Sequence, residues 1–263
     1  MDKKTIDIQI NIPIKGNELL EKAINKINHD KQIFALWRVI NVNAIERLGM
    51  TDHGVVHAQI VSNIALKLTR MLIKGKIEMT ITHDYELSEK YAELVVVLAS
   101  LFHDFGMTVS REGHEEYSLF LVNSIIYKII DFLPIEEQTI VASEVLHTII
   151  SHRTSGKPLT IEAGIVRVAD ALDMCQGRSR IAYEAGIINI YSISAIAIDN
   201  IEIAHGTDKP IQINVSMNNS AGLFQLDELL KKKIANSGIG KYISVKASIS
   251  QETEKNLMKE YTI

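Results

Sequence analysis

From about Lys31 to Asp173 apolar residues recur every three or four positions, the spacing that lines one face of a helix. Ile33, Leu36, Trp37, Ile40, Ala44 and Leu48 predict one helix over 31–48, stopped by Gly49. A second helix is predicted over 54–73, ending near Gly75; a third over 87–104, with Gly106 as its stop; and a fourth over 114–130. The fifth opens at Pro134 and carries Glu136 and Glu137 in its first turn, where negative charge suits the helix dipole; it runs to about 153. SGKP at 155–158 reads as a turn, and 160–175 as a sixth helix.

On either side of this stretch the period drops to two. Ile6, Ile8, Ile10, Ile12 and Ile14 alternate with mostly polar residues, as in a half-buried strand. NIEIA (200–204), PIQINVSM (210–217) and YISVKAS (242–248) alternate likewise, with a helical segment over 221–235 between the last two. The chain therefore reads as mainly α: a helical domain over 31–185 followed by a small α+β unit over 186–263. Residues 1–30 are a lead-in whose strand is expected to return and join that sheet, because an isolated strand has nowhere else to pair.

Composition narrows the function. The 263 residues are 46% hydrophobic and 23% charged, ordinary values for a globular protein. A net charge of −4 and a pI near 6.1 argue against broad binding to a nucleic-acid backbone. A single cysteine, Cys175, excludes an internal disulfide and a multi-thiolate zinc site. MDKKTIDIQINIPIKG is no secretion signal, and the longest apolar run, LVVVLASLF at 94–102, falls far short of the roughly 20 residues of a membrane span. The expectation is a soluble, cytoplasmic protein whose chemistry turns on its nine histidines.

His57 shares an apolar face with Val61, Ile64 and Leu68; taken alone it reads as a core histidine satisfied by a hydrogen bond. His103-Asp104 is harder to explain in this way. It ends a helix that is apolar all round, where a carboxylate meets the negative end of the dipole at about 0.3–1 kcal/mol. Burying that carboxylate unpaired adds several kcal/mol more. A divalent cation held by both side chains removes the difficulty. His114 begins the next helix, and His152 continues the inward stripe Val145–Ile149. His147, about 140° away around that helix, points elsewhere, and Glu144 is placed to pair with it. Asp170 lies among apolar residues in IVRVADALDM, with Asp173 beyond it. Mixed imidazole and carboxylate donors suit Mn, Fe, Zn or Co rather than Ca, and a helical bundle builds such sites between facing helices.

The order His57, His103-Asp104, Asp170 resembles the signature of the HD-domain superfamily of metal-dependent phosphohydrolases. HAQIVSNIA (57–65), LASLFHDFGM (98–107) and VRVADALDM (166–174) resemble its three conserved segments, so the likeness covers about 51–180. HRTSGKP at 152–158 is similar to a segment of HD-type diadenosine tetraphosphate hydrolases, which have two-metal sites. The resemblance implies an HD-type bundle with two divalent transition-metal ions. His57, His103, Asp104 and Asp170 would hold the first, and His114 and His152 would complete the second, with Asp104 bridging. Asp104 and His114 are the residues it implies for catalysis, and His147 would support the ligands. The lysine usual after the HD-Gly segment is absent, since Met107 follows Gly106.

Two ions sharing a water lower its pKa toward neutrality and steady a phosphoryl oxygen. For the substrate's phosphate, Arg178 and Arg180 beside Gly177 are the best candidates, with salt bridges to Glu184 or other acids as the plainer reading; Arg153 is a weaker candidate. His53 is a turn residue or a substrate contact, and Asn219 or Ser220 a helix cap. Lys231, Lys232 and Lys233 read as a solvated face. The resemblance implies a hydrolase acting on a phosphate ester or anhydride of a nucleotide-like molecule. The alternative is a nucleotide- and metal-binding sensor with little turnover. A homo-oligomer through the C-terminal unit is a further expectation.

Overall fold

The computed structural model describes residues 9–153, 155–174 and 190–249. The described helices are α1 (Glu18–Asn28), α2 (Lys31–Asn41), α3 (Val55–Lys74), α4 (Thr80–Tyr85), α5 (Glu89–Phe102), α6 (His114–Ile129), α7 (Ile135–Ser151), α8 (Ile161–Leu172), α9 (Ile190–Ile196) and α10 (Lys232–Ala235). α2 continues as a π-helical turn over Val42–Arg47, so the predicted 31–48 helix exists with a change of winding near its end. α10 is likewise preceded by a π-helical stretch, Gln225–Lys231.

α5 is the axis of the bundle. Every residue from Leu94 to Phe102 is buried, which is why this helix can be apolar on all sides. α3, α7 and α8 pack around it, α6 lies against α7, and α1 and α4 cover its remaining faces. The stretch Glu89–Thr108 is long and apolar enough to span a membrane, but 83% of that window is buried inside the bundle. α1 lay inside the predicted lead-in. It is fastened by Asn17, whose Oδ1 accepts from the N–H groups of Leu19 and Leu20 while its Nδ2 donates to the Lys90 carbonyl and to Glu93.

β1 (Ile198–His205), β2 (Ile211–Met217) and β3 (Ile243–Ile249) form one sheet in the order β1-β2-β3. β1 and β2 are an antiparallel hairpin, and β3 is parallel to β2, so the chain between them crosses over through the π-helical stretch and α10. The mainly α fold with a small C-terminal α+β unit is thus as expected.

The N-terminal strand is corrected for its described part. Residues 9–14 pair with no strand; Ile10 and Ile12 are buried against the helices instead. The side chain of Asn28 takes the place of a neighbouring strand, accepting from the Ile10 N–H at 2.8 Å and donating to its carbonyl at 3.1 Å. Ile6 and Ile8 lie outside the described residues, as do Cys175, Gly177, Arg178, Arg180 and Glu184.

Candidate metal centre

The candidate ligands come from five helices, His103 and Asp104 together from the end of α5. At the start of α3, Asp52 Oδ1 accepts from the N–H groups of Gly54 and His57, which holds His57 in the first turn. α5 ends at His103-Asp104, and the chain turns through a short 3-10 segment, Phe105–Thr108. Gly106 permits this turn: a Cβ there would sit 1.9 Å from the His114 carbonyl oxygen, so only glycine lets α6 start against it. Ser118 ties the two together, accepting from the Gly106 N–H at 2.8 Å and donating to the His103 carbonyl at 2.6 Å. His152 caps the end of α7, and Asp170 projects from α8.

These side chains meet. The Nε2 atoms of His57 and His103 are 3.2 Å apart. Asp104 Oδ2 lies 3.5 Å from the first and 3.3 Å from the second, and Asp170 Oδ1 lies 3.5 and 3.7 Å from the same two atoms. The other Asp104 oxygen, Oδ1, is 3.2 Å from His114 Nε2. His152 stacks edge-on against both His103 and His114, with ring centroids 4.9 and 5.5 Å away. Three sets have ligand atoms within 4.8 Å of one another: His57, His103 and Asp170; His103, Asp104 and His152; and His114, Glu115 and His152.

Hydrogen bonding sets which ring nitrogens face inward. His57 Nδ1 lies 2.6 Å from Asp173 Oδ2, His103 Nδ1 2.8 Å from the Ser100 carbonyl, and His152 Nδ1 2.6 Å from the Ile149 carbonyl. All three partners accept only, so Nδ1 carries a proton and Nε2 faces the centre. Asp104 Oδ2, buried, has no hydrogen-bond partner among the described residues. Imidazole nitrogens and carboxylate oxygens thus converge, a donor set that fits a divalent transition-metal ion.

Burial works against a charged His103, but Asp104 and then Asp170 outweigh it and hold the imidazole up at about 9. Burial likewise opposes ionisation of Asp104 and Asp170. Yet His103 and His114 beside the first, and Lys233 and the histidines beside the second, keep both carboxyls well below the usual range. Burial, followed by the nearby charges of His103 and Lys233, pushes His152 well down, leaving its lone pair available.

Other residues singled out from the sequence fall elsewhere. His147 Nε2 accepts from the Leu159 N–H at 3.1 Å, holding the chain beyond the His152 turn rather than touching the centre. Glu144 does not pair with His147; its Oε1 accepts from the Tyr85 hydroxyl. Arg153 pairs with Glu116. His53 stands beside His57, with ring centroids 5.5 Å apart, and its Nδ1 lies 2.8 Å from the Thr51 carbonyl. Asn219 caps the turn Ser220–Gly222. Lys231 and Lys232 do form an exposed face, paired with Asp227 and Glu228, but Lys233 does not belong to it. Three further residues contribute that the sequence pattern does not mark as part of the site: Asp173 behind His57, Glu115 beside His114, and Lys233 against Asp170.

A family model of the HD domain matches residues 57–175, the span from His57 to just past Asp173. The chain belongs to the HD-domain superfamily of metal-dependent phosphohydrolases. It is also similar to the uncharacterized protein MJ1020 of Methanocaldococcus jannaschii, with 40% identity over 235 residues, which are 89% of this chain and 90% of that protein.

Proposed function

We propose that the protein is a cytoplasmic hydrolase with a two-ion centre that cleaves a phosphate ester or anhydride of a nucleotide-like molecule. The observation that carries this reading is the position of Asp104. One of its oxygens faces the His57–His103 pair and the other faces His114, so a single carboxylate serves both halves of the donor set. His57, His103, Asp104 and Asp170 would hold one ion; Asp104, His114 and His152, with Glu115 in reach, would hold the other.

Bound there, such ions supply Lewis acidity and a water acidic enough to be a nucleophile near neutral pH. The chain's own residues do the rest. Asp173 and the Ser100 and Ile149 carbonyls hold three imidazoles in the tautomer and orientation that ligation needs. Phe102, Phe105 and Trp37 pack behind the His-Asp turn and keep bulk water from its far side. Substrate therefore approaches from the side of Asp170, the most exposed of its carboxylates at 20%, against 8% for Asp104 and Asp173.

The nucleotide-like substrate is supported by the likeness of HRTSGKP at 152–158 to the dinucleoside polyphosphate hydrolases. The test is a panel of nucleoside monophosphates, cyclic diesters and dinucleoside polyphosphates, run on metal-loaded protein and on Asp104→Ala. Turnover of one class, abolished in the variant, is the expected result. No turnover of any class by metal-loaded protein would overturn the enzymatic reading.

A further inference from the structure

Lys231 and Lys232 lie on the solvent side of the crossover helix, each paired with an acid four residues earlier. Lys233 turns the other way. Its side chain is 12% exposed; its Nζ lies 3.1 Å from Asp170 Oδ2 and also donates to the His152 carbonyl. The C-terminal unit thus inserts an ammonium group into the rim of the metal centre.

The seat for this insertion is well defined. The chain just after α10 approaches α8 so closely that a Cβ on Gly164 would lie 2.1 Å from the Ser237 carbonyl oxygen. Arg167, fully buried one turn further along α8, donates from Nε to the Lys233 carbonyl at 3.3 Å. From Nη1 it donates to the carbonyls of Ser151, Arg153 and Gly156. One guanidinium therefore holds both the turn that presents His152 and the backbone that presents Lys233.

The placement has a chemical consequence. Asp170 turns Oδ1 toward His57 and His103 and Oδ2 toward Lys233, so the lysine stands on the outer side of the carboxylate. An ammonium has three protons. Among the described residues two are taken, by Asp170 and by the His152 carbonyl. Among the described residues the third is uncommitted, at the partly open side of the centre beside Asp170.

Resting on the proposed function, we infer that Lys233 is a substrate-binding residue of the metal centre. Its ammonium contacts a phosphoryl oxygen of the bound anion while remaining paired with Asp170. The C-terminal unit is then part of the site and not an appendage.

The test uses the full-length, metal-loaded protein with inorganic phosphate as probe, titrated calorimetrically, and metal content measured on the same samples. Lys233→Met keeps the apolar stem and removes the charge; it is expected to keep its metal and weaken phosphate binding about tenfold or more, as loss of a charged hydrogen bond does. Lys233→Arg is expected to restore binding to within about threefold, since guanidinium also recognises phosphate. If Lys233→Met does not fold, Lys233→Gln replaces it with the same expectation. Equal phosphate affinity in wild type and the uncharged variant, with metal retained, overturns the inference and leaves the proposed function standing. Loss of metal in the variant also overturns it, because Lys233 then acts only by positioning Asp170. A metal-loaded wild type that neither binds phosphate nor hydrolyses any phosphate ester overturns the inference and the proposed function together.

Discussion

Helices α7 and α8 carry two buried polar clusters, each element contributing one residue to each cluster. Glu162 acts through its charge on Glu144 at one level, and Asp170 on His152 at the other, eight residues further along each stretch of chain. Both levels bury carboxyl oxygens that have no hydrogen bond among the described residues: Asp104 Oδ2 in one, and Oε2 of Glu144 and of Glu162 in the other. Their charge states nevertheless diverge. Burial raises the Glu162 carboxyl, and burial together with the charge of Glu162 raises Glu144. Asp104 and Asp170 are held low, because histidines and Lys233 surround them. Burial alone drives a carboxyl toward its neutral form. It becomes an ionised ligand only where cationic or polarisable partners are built around it.

The comparison breaks most visibly at Asp104. Asp104→Ala removes the one group that faces both halves of the centre, so metal content and any hydrolysis should fall by more than about 100-fold, beyond what losing a supporting residue does. Elemental analysis of the purified variant checks this, and retention of full metal content contradicts it.

Arg167→Met strips four backbone carbonyls of a buried donor. It should destabilise the fold by about 3 kcal/mol, read from chemical denaturation, with weaker metal retention on the His152 side. A loss below about 0.5 kcal/mol, the usual range for surface changes, would show that the guanidinium does not clamp these turns.

A smaller effect is expected behind His57. Asp173→Asn keeps an acceptor for Nδ1–H but removes its charge, and metal affinity should fall about 10- to 100-fold with little change in stability. Competition with a coloured chelator measures it; unchanged affinity would mean the Asp173 contact does not tune the imidazole.

The smallest change belongs to the other cluster. Glu162 has a folded-state pKa above its ordinary 4.5, so the folded state binds the proton more tightly, and stability declines as pH rises from that ordinary value through the raised one. Glu162→Gln keeps the acceptor for the Ile81 N–H and removes the titration. The variant should be more stable than wild type at pH 8, the difference vanishing near pH 4. Parallel denaturation curves at both pH values decide it, and a variant less stable at pH 8 contradicts the assignment.

Much of the bundle was legible because its signals are local. The 3.6-residue period marked α3, α5, α6, α7 and α8 to within a few residues, and the all-round apolar α5 announced a central helix that could end in a buried His-Asp pair. α1 carried a readable pattern, Leu20, Ala23, Ile24 and Ile27 behind the Asn17 cap, and was overlooked beside the more conspicuous alternation before it. That alternation was misleading at Ile10 and Ile12: period two reports one buried face, not the partner, and here the partner is the Asn28 amide. The parallel pairing of β2 and β3 was hidden for the same reason. Three consecutive lysines read as one surface, although three successive helical residues span about 200° and cannot all share a face, so Lys233 turns inward where Lys231 and Lys232 do not. Asp173 needed the tertiary fold, since nothing in its spacing says that it backs a histidine 116 positions away.

Metal stoichiometry on anaerobically purified protein, with His114→Ala and Asp104→Ala alongside, tests most directly the claim that one carboxylate organises a two-ion centre. The prediction is about two transition-metal ions per chain in wild type, about one in His114→Ala and none in Asp104→Ala. A wild type that binds one ion, retained in full by His114→Ala, would contradict the shared role of Asp104. A wild type that takes up no metal after reconstitution with Mn or Fe would contradict the centre itself.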